Sequence, residues 1–262
     1  MDRNNLPIGI FDSGLGGLSV LKSIRSLLPQ EDIIYFGDTK RAPYGFHSPL
    51  TIRNFTRDIL HFVKEQNVKV SVAACNTITV NLGDLPQEFD FEIIEMQKGL
   101  TTAAQVTKNN KVGVIGTVAT INSSKHATEA QELYPGLKIF PVPCPEFAGM
   151  VEAGELTGAK LEQHAREYLT PLKETGVDTV IMACTHYPFL EPVIGKVLEN
   201  IRLVDPSEET ALALREYLEK TGLLKNSGTG SAKFYFSANL DKAKFMLSQI
   251  GMAESEVACI SL

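Results

Sequence analysis

The chain of 262 residues has no tryptophan, only four cysteines and no uninterrupted apolar run of about 18 residues, the length a membrane-spanning helix needs. Its N-terminus lacks the charged-then-apolar layout of a signal peptide. Lysine and arginine form no basic tract and the formal net charge is −6, which argues against a nucleic-acid surface. These absences predict a cytoplasmic protein that binds neither membranes nor nucleic acids.

The cysteines are too scattered to predict a zinc site. They are Cys75, Cys144, Cys184 and Cys259, and no two of them form a Cys-x-x-Cys pair. In a reducing cytosol they should be free thiols, and a free cysteine is more often a small buried hydrophobe than a catalyst. A functional role for any of them therefore needs support from its neighbours.

Short apolar runs alternate with helical patterns along almost the whole chain. Helical patterns cover residues 19–28, 51–66 and 162–174, and several of the runs between helices are apolar on both faces. The predicted strands are residues 7–11, 33–36, 68–73, 92–95, 111–115, 138–141, 179–182, 202–204 and 233–236. This alternation predicts an α/β fold with mostly parallel sheets.

The chain also looks loosely duplicated. Residues 7–13 (PIGIFDS) and 111–117 (KVGVIGT) each form a strand that ends in a polar turn. Farther along each half, 70–77 (VSVAACNT) resembles 180–186 (VIMACTH). Two similar α/β units, each with one Ala-Cys turn after a strand, account for this better than coincidence.

Ligands of open α/β sheets bind beyond the carboxyl ends of the strands, and both cysteine turns fall there. If the two units face each other, Cys75 and Cys184 reach one cleft from opposite sides. Moving a proton from one face of an α-carbon to the other requires such a pair of groups. A free thiol is largely protonated at neutral pH, so each needs an assistant: His186 for Cys184, and Asp12 for Cys75.

Small polar residues in the same turns are candidates for holding substrate carboxylates. They are Ser13, Asn76, Thr77 and Thr185, and each is predicted to enter a helix, where backbone N–H groups also favour anions. The competing interpretation is that they are ordinary helix N-caps. Both can hold, because a cap and an anion site use the same groups.

Two other motifs indicate different classes of protein. Residues 14–19 (GLGGLS) follow a strand and open a helix, as in dinucleotide-binding proteins, but Ser19 stands where a third Gly or Ala belongs. A tight, glycine-permitted turn is the simpler interpretation. Cys184 and His186 alone fit a thiol hydrolase, but that would not explain Cys75 in a matching turn.

Taken together, these segments resemble the glutamate racemase family of the Asp/Glu/hydantoin racemase superfamily. The matching segments occur in family order between about residues 7 and 236. They are residues 9–17 (GIFDSGLGG), 35–39 (YFGDT), 43–45 (PYG), 74–77 (ACNT), 113–120 (GVIGTVAT), 183–190 (ACTHYPFL) and 204–207 (VDPS).

The resemblance implies two similar α/β domains related by a pseudo-twofold axis, with the active site in the interdomain cleft. The first domain would comprise residues 1–97 plus 208–262, and the second residues 98–207. It implies a homodimer that interconverts L- and D-glutamate without pyridoxal phosphate, metal or nucleotide. The D-glutamate would feed peptidoglycan synthesis.

The resemblance also implies roles for individual residues. Cys75 would take the proton from D-glutamate and Cys184 from L-glutamate, with Asp12, His186 and Glu152 assisting. The implied substrate contacts are Asp12, Ser13, Tyr44, Gly45, Asn76, Thr77, Thr185 and His186. For Glu152 the competing interpretation is a surface glutamate in an acidic helix start.

The sequence departs from the family pattern in two places: residues 46–49 (FHSP) where a basic residue is frequent, and residues 95–99 (EMQKG), which lack the expected Pro-Gly ending. Cys144 is expected to be structural and Cys259 to serve packing. The alternatives are an aspartate or hydantoin racemase and a non-catalytic two-lobed protein that binds an acidic ligand.

Overall fold

Residues 3–262 are described by the computed structural model, in which two parallel β-sheets are flanked by helices. The strands are β1 (Ile8–Asp12), β2 (Ile33–Gly37), β3 (Val70–Ala73), β4 (Ile93–Glu95), β5 (Lys111–Gly116), β6 (Lys138–Pro143), β7 (Thr179–Ala183), β8 (Arg202–Val204), β9 (Ala232–Phe236) and β10 (Val257–Cys259). Strands β1, β2, β3 and β7 are buried at every residue, which explains their continuous apolar runs.

The helices fill the connections between parallel strands. They are α1 (Leu18–Leu27), α2 (Pro49–Glu65), α3 (Asn76–Thr79), α4 (Leu100–Val106), α5 (Val118–Asn122), α6 (Lys125–Leu133), α7 (Pro145–Ala153), α8 (Ala159–Glu174), α9 (Glu191–Val197), α10 (Ser207–Thr221) and α11 (Leu240–Gln249). Within residues 3–262, none of them is long and apolar enough to cross a bilayer.

The strand order confirms the duplication. The first sheet has the order β10-β9-β2-β1-β3-β4 and the second has β6-β5-β7-β8, so β2-β1-β3-β4 repeats as β6-β5-β7-β8. We call each sheet with its helices the first and the second unit. Cys75 and Cys184 follow β3 and β7, which are equivalent strands. The two thiols therefore stand at matching places in the two units.

The chain crosses from the first unit to the second between β4 and α4. Gly99 occupies this connection with a φ of +70°, and a Cβ added to it would lie within 3.3 Å of Ile181, Val204 and Pro206. The chain returns to the first unit at α10, which packs against α1 and β4. The division into residues 1–97 plus 208–262 and residues 98–207 stays a prediction.

All nine predicted strands are present, with ends that differ by at most two residues. The strand β10, a short edge strand with no buried residue, was not predicted. The expectation that Cys259 serves packing is wrong, because this residue lies exposed on β10. Cys144 is fully buried between the prolines that end β6 and begin α7, as expected of a structural residue.

Candidate active site

The carboxyl ends of the two sheets face each other across hydrogen bonds between the units. The Thr77 and Thr117 hydroxyl oxygens lie 2.9 Å apart, and Ser19 Oγ donates to the Thr185 carbonyl at 2.9 Å. Thr77 belongs to the turn of Cys75, and Thr185 belongs to the turn of Cys184. Both cysteines are only 4% exposed. Thr117 and Ser19 were not among the predicted site residues, although Thr117 is the counterpart of Ser13 in the duplicated pattern.

Cys75 connects to Asp12 through Ser13. Its thiol donates to Ser13 Oγ at 3.4 Å, and the Ser13 hydroxyl lies 3.5 Å from Asp12 Oδ1. Burial raises the pKa of Cys75, and so, to a lesser extent, do the charges of Asp12 and of a thiolate at Cys184. The resting state of Cys75 is therefore the thiol.

Asp12 is fully buried at the end of β1. Its Oδ2 accepts hydrogen bonds from the backbone N–H groups of Gly14 at 3.1 Å and Gly17 at 2.9 Å. Burial raises the pKa of Asp12, while the charge of His186 and these two hydrogen bonds oppose the rise. A carboxyl group with a raised pKa is suited to receive a proton through Ser13 and to return it.

Cys184 has an imidazole as its partner. Its Sγ lies 3.6 Å from His186 Nδ1, and His186 Nε2 lies 2.6 Å from Glu152 Oε1. Burial alone would lower the pKa of His186, but the interactions with Cys184 and Glu152 raise it well above its usual range. The His186 imidazolium therefore persists at neutral pH beside the sulfur of Cys184.

Glu152 belongs to this pair rather than to the surface. The interpretation of Glu152 as a surface glutamate in a helix start is wrong: it lies in the last turn of α7, and its side chain is 12% exposed. Besides His186, its Oε1 accepts the backbone N–H of Leu15 at 2.7 Å. The helix-start expectation failed because α7 begins at Pro145, two turns before Glu152.

Four small polar side chains surround the thiols and are all buried: Ser13, Asn76, Thr77 and Thr185. None caps a helix through its side chain, since the N-cap of α3 is Cys75 and makes no side-chain cap bond. Within residues 3–262, Asn76 Nδ2 and Thr185 Oγ1 have no hydrogen-bond partner. Leaving such a group unpaired costs about 1–3 kcal/mol, so these two are available to a polar ligand.

Tyr44 and Gly45 lie in a 3₁₀ helix, Tyr44–Phe46, that contacts the second unit. The Tyr44 hydroxyl donates to the buried carboxylate of Asp38, which also accepts from Ser237 Oγ at 2.7 Å. A Cβ on Gly45 would lie 2.9 Å from Thr117 Cβ. The Tyr44 hydroxyl thus anchors the loop, and Asp38 is a supporting residue that the sequence reasoning missed.

A cavity of about 1340 Å³ lies behind the Cys184 turn, between α1, α9 and α10, and includes neither thiol. Across residues 3–262, no group of three or more His, Cys, Asp and Glu side chains is arranged to hold a metal ion. The hydrogen-bonded contacts of the thiols lead to Asp12 through Ser13 and to Glu152 through His186.

The fold and the paired thiols agree with a family match. The model of the Asp/Glu/hydantoin racemase family matches residues 8–214, so the chain belongs to this family. Within it, the chain is 42% identical to the glutamate racemase of Geobacter metallireducens over 89% of this chain and 87% of that protein. It is 36% identical to the glutamate racemase of Pseudomonas entomophila over the full length of both.

Solved structures of glutamate racemases are also similar to this chain. The chain is similar to the glutamate racemase of Francisella tularensis in complex with D-glutamate, with a TM-score of 0.88 and 35% identity over 98% of each chain. A glutamate racemase of Bacillus anthracis gives 0.91 and 34% over 98% of this chain and 97% of that one. The aspartate racemase of Picrophilus torridus shares only the fold, with a TM-score of 0.54 and 17% identity.

Proposed function

We propose that this protein is a cofactor-independent glutamate racemase that uses Cys75 and Cys184 as its two acid–base groups. The observation that carries the proposal is the placement of two buried thiols at equivalent positions of the duplicated units, each with its own acid–base assistant. A non-catalytic binding protein would need the cleft but no such pair. A thiol hydrolase would need only one of the two.

In the direction from L- to D-glutamate, the Cys184 thiolate removes the α-proton, and the Cys75 thiol delivers a proton to the opposite face. The new thiolate at Cys75 then recovers a proton from Asp12 through Ser13. The reverse reaction begins with Cys75, whose proton passes to Asp12 by the same route. On the other side, the His186 imidazolium, held by Glu152, stabilises the Cys184 thiolate.

The substrate carboxylates would be held by groups that the protein leaves unpaired. Asn76 Nδ2 and the Thr185 hydroxyl are buried donors without a partner in residues 3–262. Ser13, Thr77 and the backbone of Tyr44 and Gly45 border the same region. Charge-assisted hydrogen bonds from such donors are about twice as strong as neutral ones, which suits an acidic substrate.

The test is an assay with L- and D-glutamate and with L- and D-aspartate, without added cofactor, followed by circular dichroism. We expect glutamate of either hand to lose its optical activity and aspartate to keep it. Faster loss with aspartate would assign the protein to the aspartate racemases instead. If none of the four substrates loses optical activity and none takes up solvent deuterium at the α-carbon, the protein is a non-catalytic binding protein.

We further propose that the protein is a cytoplasmic homodimer that supplies D-glutamate for peptidoglycan. The domains would be residues 1–97 plus 208–262 and residues 98–207, with the substrate between them. Light scattering of the purified protein tests the dimer: a mass twice that of the 28.7 kDa chain supports it, and the mass of a single chain contradicts it.

A further inference from the structure

The glycine-rich turn between β1 and α1, residues 14–17, packs against the second unit rather than framing a phosphate site. A Cβ on Gly14 would lie 2.0 Å from Glu152 Oε1, and a Cβ on Gly16 would lie 2.4 Å from His186 Nδ1. Real Cβ atoms do not approach other atoms this closely. The two glycines therefore allow the backbone of this turn to reach the Glu152–His186 pair.

The backbone N–H groups of the same turn donate hydrogen bonds to carboxylates on both sides of the site. Gly14 N–H and Gly17 N–H donate to Asp12, on the Cys75 side. Leu15 N–H, which lies between them, donates to Glu152, on the Cys184 side. One short stretch of backbone thus fixes an assistant of each thiol.

We propose that the turn of residues 14–17 is a positioning element that holds Asp12 and the Glu152–His186 pair in a fixed relation across the two units. This inference rests on the proposed racemase function, because it assigns the two carboxylates to the two thiols. The residues of the turn position catalytic groups through their backbone and do not themselves touch the reacting carbon.

Leu15 and His186 share one oxygen, Glu152 Oε1. It accepts from Leu15 N–H and from His186 Nε2–H, so the amide holds the carboxylate where the imidazolium needs it. The charged and titratable groups that face His186 are Cys184 from its own turn, Glu152 from α7 and Asp12 from β1. Displacing Glu152 removes one of the interactions that keep His186 protonated.

Gly14→Ala is the direct test. No left-handed φ is recorded at Gly14, and among residues 3–262 the three atoms nearest to an added Cβ all belong to Glu152. The methyl group should therefore push Glu152 away from His186. We expect kcat to fall by about 10- to 100-fold with little change in KM, and the alkaline limb of the kcat profile to move to lower pH.

Two companion variants separate positioning from misfolding. Gly149→Ala places a methyl group on α7, the helix of Glu152, where an added Cβ meets no other described atom within 4 Å, and should leave kcat unchanged. In a Glu152→Ala background the carboxylate that the new methyl group would displace is absent. Adding Gly14→Ala should therefore lower kcat by less than about a further twofold. An equal loss from Gly14→Ala in both backgrounds would overturn the proposal.

A readout independent of turnover distinguishes this inference from the proposed function. The pKa of His186, followed by NMR titration and assigned with His186→Gln, should be lower in Gly14→Ala than in the unchanged protein. An unchanged pKa would overturn the positioning role even if racemisation is fully confirmed. A lowered pKa would support the role even if the preferred substrate is not glutamate.

Discussion

At the scale of residues, Cys75 and Cys184 occupy equivalent positions but have different partners. Cys75 faces the hydroxyl of Ser13 and, behind it, Asp12, whereas Cys184 faces the imidazole of His186. Burial and the charge of Asp12 raise the pKa of Cys75, whereas the interactions with Cys184 and Glu152 raise the pKa of His186. At neutral pH Cys75 should therefore be a thiol, and His186 beside Cys184 should be an imidazolium.

Single serine variants test this division of labour. We expect Cys75→Ser and Cys184→Ser each to lose at least about 100-fold in racemisation, because a hydroxyl is a far weaker acid than a thiol. Cys75→Ser should still exchange the α-hydrogen of L-glutamate slowly in deuterated water, and Cys184→Ser that of D-glutamate. Proton NMR of the recovered substrate measures this. The opposite pattern of exchange would reverse the assignment of the two thiols.

At the scale of elements, a buried ion pair ties the start of β3 to the segments around it. Lys69 has a fully buried side chain, and its Nζ contacts a carboxylate oxygen of Glu31 and the carbonyls of Asn4 at 2.8 Å and Leu223 at 2.9 Å. These contacts join the connections before β2, before β3 and after α10. A buried charge that loses its partner is strongly destabilising.

Replacing Lys69 should therefore weaken the fold without touching the site. We expect Lys69→Met to lower the free energy of unfolding by about 3–5 kcal/mol, measured by urea denaturation. Adding Glu31→Gln should recover part of the loss, because the neutral side chain can still accept from Lys225 N–H. Lys196→Met, which removes a partner of Glu162 at the surface, should cost less than about 1 kcal/mol. Equal losses at Lys69 and Lys196 would contradict this account.

At the scale of the whole molecule, the strands and turns of each unit were more predictable from the sequence than the contacts between the two units. The strands of both sheets were predictable because parallel strands buried on both faces leave continuous apolar runs. The turns of Cys75 and Cys184 were predictable because the duplication marks them twice. The matching strand orders of the two sheets confirm that interpretation.

The contacts that join the two units could not be predicted in the same way. Glu152 meets Leu15 and His186 only once α7 packs beside the first unit, and no local pattern encodes that approach. The strand β10 was missed because its run of three apolar residues is short and none of them is buried. Short-range patterns specify elements, whereas the site depends on side chains that are far apart in the chain.

The central claim is that the two sulfurs serve opposite faces of one carbon, and racemisation of L-glutamate in deuterated water at low conversion tests it most directly. We expect the D-glutamate formed to carry deuterium at its α-carbon, delivered by Cys75, while the recovered L-glutamate keeps its hydrogen. Equal deuterium in both enantiomers from the first turnovers would mean that one group serves both faces, which contradicts the two-thiol account.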